Sequence, residues 1–160
     1  MSGGFETPPT STGEAATDAG GTAACAGANP IPDEMRRANR AHWDEWAHVH
    51  EKSAFYDVAG FKAGATSLRP LELEELGPLV GEGTALLHLQ CHFGLDTLSW
   101  ARRGAVVTGV DLSDEAIGLA RRLADEVGLS ARATFIASDV YEVDERLGDR
   151  RFNVVFVSWG

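Results

Sequence analysis

The sequence predicts an α/β protein: a doubly wound parallel sheet preceded by N-terminal lead-in helices, with the C-terminal part of the sheet missing. Three observations carry this. From Thr84 onward, short apolar runs alternate with helical segments, the pattern of right-handed βαβ crossovers. Residues 85–113, ALLHLQCHFGLDTLSWARRGAVVTGVDLS, read as strand, tight loop, helix, second strand and an aspartate at that strand's end. Nucleotide-bearing cofactors are commonly held by such a unit. Finally, Gly160 follows directly on a fourth apolar strand, where a doubly wound sheet ordinarily continues for about two or three more strands.

Residues 1–32 are rich in Gly, Ala, Ser, Thr and Pro and contain no Lys or Arg. They lack the apolar residues that offset ordering entropy and are expected to form a disordered tail. Residues 33–83 are expected to form a helical lead-in or lid. Pro32, Asp33 and Glu34 suit a helix start. Met35, Ala38, His42, Trp46 and Val49 follow at helical spacings and predict one mostly apolar face, with Trp43 at its margin. The stretch FYDVAGFKAGATSLRP reads as irregular. Pro70 opens a short helix, PLELEELGPL, stopped by Gly77 and Pro78.

Residues 84–160 are expected to form the sheet domain, in partial form. ALLHLQ is a short apolar strand, LDTLSWARRG a helix ending at Gly104, and AVVTGVD a β-branched strand. DEAIGLARRLADEVG is a second helix, capped by Ser113, with Asp114 and Glu115 in its first turn and Gly128 at its end. ATFIAS is a third strand. DVYEVDERLG is a loop or short helix, and FNVVFVSW a fourth strand, expected to be an uncovered apolar edge. The order is Rossmann-like, and the chain is expected to be a truncated product or a domain fragment.

The formal net charge of -10 over 160 residues argues against a phosphate-backbone grip on nucleic acid and against an anionic membrane surface. No apolar stretch is long enough to span a bilayer. The two cysteines, Cys25 and Cys91, form no disulfide framework. No basic, apolar leader opens the sequence. A cytoplasmic setting is the expectation.

The loop after the first strand, Gln90-Cys91-His92-Phe93-Gly94, has one glycine where the dinucleotide pattern has three. Gly94 supplies one permissive position before the helix. Gln90 and His92 occupy places where glycine is usual, and both carry hydrogen-bonding side chains. Asp111 follows Gln90 by about 20 residues, the spacing at which an acid accepts hydrogen bonds from ribose hydroxyls. Asp139 follows the third strand, where an acid can accept from an adenine amine while the Val140 amide donates to the ring.

In this order, the residues resemble the class I S-adenosylmethionine-dependent methyltransferases. The resemblance is strongest to a bacterial subgroup whose loop reads HLQCHFGLDTLS, as residues 88–99 do here. VTGVDLS, ASDVYEV and FNVVFVSWG match further on, and FYDVAGFKAG and LRPLELEELG resemble the subgroup's lead-in. The resemblance covers residues 39–160. It implies S-adenosyl-L-methionine as cofactor and is silent on the substrate; methyl transfer to an unidentified small-molecule acceptor is the expectation. The resemblance implies that Gln90, Cys91 and Gly94 surround the methionine part. Asp111 would bind the ribose hydroxyls, with Leu112 packing on the adenine and Asp139 and Val140 reading its edge. Ser158 and Trp159 would line the methyl end, with Tyr56 and Trp43 as a lid. Relative to the general family pattern, His88 stands for an acid that helps hold the methionine amine. A neutral imidazole accepts a hydrogen bond but supplies no negative charge.

Four rival readings remain beside this one. A nicotinamide-dependent oxidoreductase shares the strand, loop and ribose acid, but its pyrophosphate needs small residues where Gln90, His92 and Phe93 stand. A sulfonium cofactor has no phosphates and tolerates that bulk. The chain is alternatively a catalytically silent cofactor-binding fragment. For metal, His88, Cys91 and His92 with His42, His48 and His50 form no convincing ligand quartet. Cys91 as a nucleophile lacks a partner base. No general base is assigned; His92 is a candidate by chemistry alone.

Overall fold

The computed structural model describes residues 31–158. The expected tail up to residue 30, and Trp159 at the expected methyl end, lie outside the described residues. Four strands, β1 (Ala85–Leu89), β2 (Val106–Asp111), β3 (Ala133–Ala137) and β4 (Val154–Phe156), form one sheet in the order β3-β2-β1-β4. Every pairing is parallel. His88 lies opposite Gly109 on one side and Phe156 on the other, while Asp111 lies opposite Ala137. The chain builds outward from β1 through β2 to β3, then returns to the far side of β1. That reversal is a topological switch point, and ligands of open α/β sheets bind beyond the strand ends there.

Helices α4 (Leu95–Arg102) and α5 (Asp114–Glu126) connect the strands. Alternation along each strand sends neighbouring side chains to opposite faces. One apolar cluster joins Leu98, Ile117, Ala120 and Phe135 with Ala47 and Phe61 from the lead-in. A second joins Leu86, Trp100, Val107 and Phe156 with Leu68 and Val80. A smaller one holds Leu87 and Val110 against Val143 of the short helix α6 (Val143–Leu147).

The lead-in supplies α1 (Asp33–Glu51), α2 (Val58–Lys62) and α3 (Pro70–Glu75), the last running into a 3-10 turn over Gly77–Leu79. α1 starts at Pro32 with Asp33 and Glu34 in its first turn, as predicted. Its packed face is not the predicted one. Ala47 is buried against the first cluster, whereas Met35 is 63% exposed, Trp46 41% and Val49 52%. The apolar spacing is real, but a different stripe meets α5. Asp44 on that stripe accepts hydrogen bonds from the Ser113 hydroxyl at 2.6 Å and the Glu115 amide at 3.3 Å. A polar cap therefore sets the rotation of α1.

The stretch expected to be irregular contains α2. Asp57 caps it, accepting from the Gly60 amide at 3.0 Å. Five residues are too few for apolar periodicity to register, so the cap was the only available signal. β4 is shorter than FNVVFVSW predicts, because Phe152 turns into the smaller cluster and Asn153 caps the start of β1 by accepting from the Ala85 amide at 2.9 Å. Among the described residues, no helix is long and apolar enough to cross a membrane.

Candidate functional site

The loop after β1 keeps the backbone of a glycine loop with only one of its glycines. Gln90 has φ 56°, His92 φ 50° and Gly94 φ 82°. Alternate residues thus take the left-handed conformation that L side chains adopt at a cost of about 1–2 kcal/mol. Two of the three are not glycine. Strain of this kind is maintained where surrounding contacts fix it. Here the His92 amide donates to Asp111 Oδ2 at 2.7 Å, and the Cys91 amide donates to the Val110 carbonyl at 2.9 Å. At Gly94 a side chain is also excluded by space, since a Cβ would lie 2.8 Å from the Phe135 ring.

Asp111 ends β2. Besides His92, its Oδ1 accepts from the Ser113 amide at 2.9 Å. Burial pushes its carboxyl pKa up, and backbone hydrogen bonds from Ser113, His92 and Leu112 oppose that rise. Each carboxylate oxygen has two acceptor sites, so capacity is left for a ligand. A cavity of about 340 Å³ opens on Asp111, Leu112, Asp139 and Val140, with Gln90 and His92 at one end. All four predicted nucleotide-side residues therefore face one space. Asp139 accepts from the Tyr141 amide at 3.0 Å, and Arg36 lies 3.8 Å from its other oxygen.

A second cavity, of about 510 Å³, lies beyond the ends of β1 and β4. Gln90, Cys91, Gly94 and Ser158 line it, together with His88 and Asp96. The Cys91 side chain belongs to the apolar cluster, and burial raises its thiol pKa well above the ordinary value. It is a packed thiol rather than a thiolate nucleophile. Gln90, His92 and Tyr56 border both cavities. Trp43 lines the smaller one, so both predicted lid residues stand at the site.

His88 is 1% exposed, and burial drives its pKa down to about 3. Its Nδ1 lies 2.7 Å from the Thr97 hydroxyl and its Nε2 3.3 Å from that of Ser158, which donates to Asp96 Oδ2 at 3.0 Å. His92 Nε2 meets His50 Nδ1 at 2.8 Å. Burial and the neighbouring His50 lower the His92 pKa to about 4. It is neutral near pH 7 and a weak proton acceptor there.

Two residues at the site escaped sequence reasoning, Arg36 and Asp96, and His50 was weighed there only as a metal ligand. Arg36 lies just beyond the margin of the apolar face of α1 that periodicity picks out. Asp96 reads as an ordinary first-turn acid. Among the described residues, no group of three or more His, Cys, Asp or Glu side chains is placed to hold a metal ion.

Residues 86–160 match the family described as a methyltransferase domain. A ubiquinone biosynthesis O-methyltransferase of Alkalilimnicola ehrlichii is 35% identical over 102 residues, covering 58% of this chain and 38% of that protein. A solved structure described as showing conversion of a disulfide bond into a thioacetal group during echinomycin biosynthesis is 30% identical, with a TM-score of 0.52, over 78% of this chain and 48% of that one. A SAM-dependent methyltransferase from Thiobacillus denitrificans, in complex with S-adenosyl-L-homocysteine, is 25% identical, with a TM-score of 0.48, over 65% of this chain and 44% of that one. The chain spans less than half the length of each of these relatives. Its strand order, its variant loop and the match over residues 86–160 make this part of the chain similar to the S-adenosylmethionine-dependent methyltransferases.

Proposed function

We propose that the chain binds S-adenosyl-L-methionine across the two joined cavities and takes part in methyl transfer to a small-molecule acceptor. The observation that carries this reading is the placement of Asp111, Leu112, Asp139 and Val140 around one cavity that meets another at Gln90 and His92. The donor set suits the cofactor. A carboxylate at the end of β2 accepts from ribose hydroxyls, and Asp139 with the Val140 amide fits the adenine edge. Gln90, Cys91, Gly94 and Ser158 would surround the methionine part. When bound, the cofactor supplies a methyl group already activated on a sulfonium. The chain's own residues then need mainly to orient the acceptor and exclude water. Residues 33–83 act in this reading as a lid, through Trp43 and Tyr56, over a binding domain formed by residues 84–160. The cavity of about 510 Å³ is of the size that holds small molecules. The buried free thiol of Cys91 suits a reducing, cytoplasmic setting.

Calorimetry with S-adenosylhomocysteine and with NAD tests the reading. Heat is expected with the former and none with the latter. A folded sample that gives no heat with S-adenosylhomocysteine overturns the cofactor assignment. Asp111→Asn is expected to weaken binding by about 2 kcal/mol, the loss of charge on a hydrogen-bonded acceptor. Unchanged affinity removes the ribose role.

A further inference from the structure

We propose that Asp96 supplies the negative charge facing the ammonium group of the cofactor's amino-acid end, in place of the acid that His88 replaces. The proposal rests on the cofactor reading above and adds a residue to it. Asp96 is the second residue of α4 and lines the cavity of about 510 Å³ together with Gln90, Gly94 and Ser158.

The hydrogen-bond chain beneath the cavity has one direction. An ionised Asp96 can only accept, so the proton of the Ser158 hydroxyl goes to its Oδ2 at 3.0 Å. Ser158 then accepts from His88 Nε2–H at 3.3 Å. Nδ1 of the neutral ring consequently accepts from the Thr97 hydroxyl at 2.7 Å. Thr97, His88 and Ser158 are all neutral, and each donates toward Asp96. His88 carries no charge itself, yet it orients the residue that steadies the one carboxylate at the end of the chain. Asp96 Oδ1 has no hydrogen-bond partner among the described residues.

The other ionisable groups of the cavity differ from Asp96. Asp57 caps α2 by accepting from the Gly60 amide and stands outside the hydrogen-bond chain through His88 and Ser158, and Arg69 is cationic. Tyr56 lines the same cavity: burial raises its pKa first, and the charge of Asp96 raises it further. A first-turn acid also complements the helix dipole. That structural role would be indifferent to the presence of an amine on the ligand.

The test is calorimetry with S-adenosylhomocysteine and with its deaminated analogue, which keeps the carboxylate and lacks the amine. Asp96→Asn is expected to weaken S-adenosylhomocysteine by about 10- to 100-fold, the loss of a charge-assisted hydrogen bond. The analogue is expected to change by less than about threefold. Asp96→Ser, which retains a residue favoured at helix starts, repeats the comparison if Asp96→Asn does not fold. An equal loss on both ligands, or none on S-adenosylhomocysteine, overturns the proposal. A folded wild-type chain that binds neither ligand overturns the cofactor reading itself, and the role of Asp96 with it.

Discussion

His88 keeps its ring neutral beneath the cavity, with a pKa of about 3 against an ordinary value of about 6.5 in the unfolded chain. Between those values the unfolded state binds the extra proton, so stability is intact above about pH 6.5 and falls as pH drops toward 3. This one residue should lower the unfolding free energy by about 2 kcal/mol between pH 7 and pH 5. His88→Gln keeps a hydrogen-bonding side chain without a titrating proton, and denaturant unfolding at the two pH values should show a shallower fall. At Gln90 the left-handed backbone works against an exposed side chain. Gln90→Gly should raise stability by about 1 kcal/mol, seen as a higher denaturation midpoint. These residues mark how far the sequence was legible. Asp111 and Asp139 could be placed because strand ends and spacing fix where an acid must stand. The charge lost at His88 was visible as well. Its relocation to Asp96 was not, because that depends on a chain of hydrogen bonds through Ser158, which is 62 residues distant in sequence.

At the scale of elements, β1, β2, β3, α4 and α5 were legible because period and punctuation agree. α1 was legible as a helix but not in its rotation. Its apolar stripe and its packed stripe differ, and polar contacts with α5 hold the packed one, Asp44 at the cap together with Arg40 on Asp114 and His48 on Glu115. Asp44→Ala should therefore cost about 1–2 kcal/mol of stability, in the range of a lost helix cap. Thermal unfolding measures it. If the loss is nil, the cap does not hold α1. The junction of the loop with α4 is less forgiving. Gly94→Ala forces a Cβ into the Phe135 ring at a φ of 82°. Strain and overpacking together should exceed about 2 kcal/mol, measurable by chemical denaturation.

For the whole molecule, the parallel sheet leaves β4 at one edge among the described residues, with Val155 and Val157 exposed. Met35, Trp46 and Val49 add apolar surface on α1. Sedimentation should show self-association that rises with concentration, and Val155→Lys should reduce it. A monodisperse monomer at all concentrations would remove this liability. The contact of α1 with the loop has a further, optical consequence. The Trp43 ring stands 6.0 Å from that of His92, and Trp46 5.2 Å from that of His50, whereas Trp100 is enclosed in the other cluster. A ligand seated against His92 alters the surroundings of Trp43 first. Indole emission then becomes a built-in gauge of occupancy, with Trp43→Phe as its blank, and the loop reports its own filling without a label.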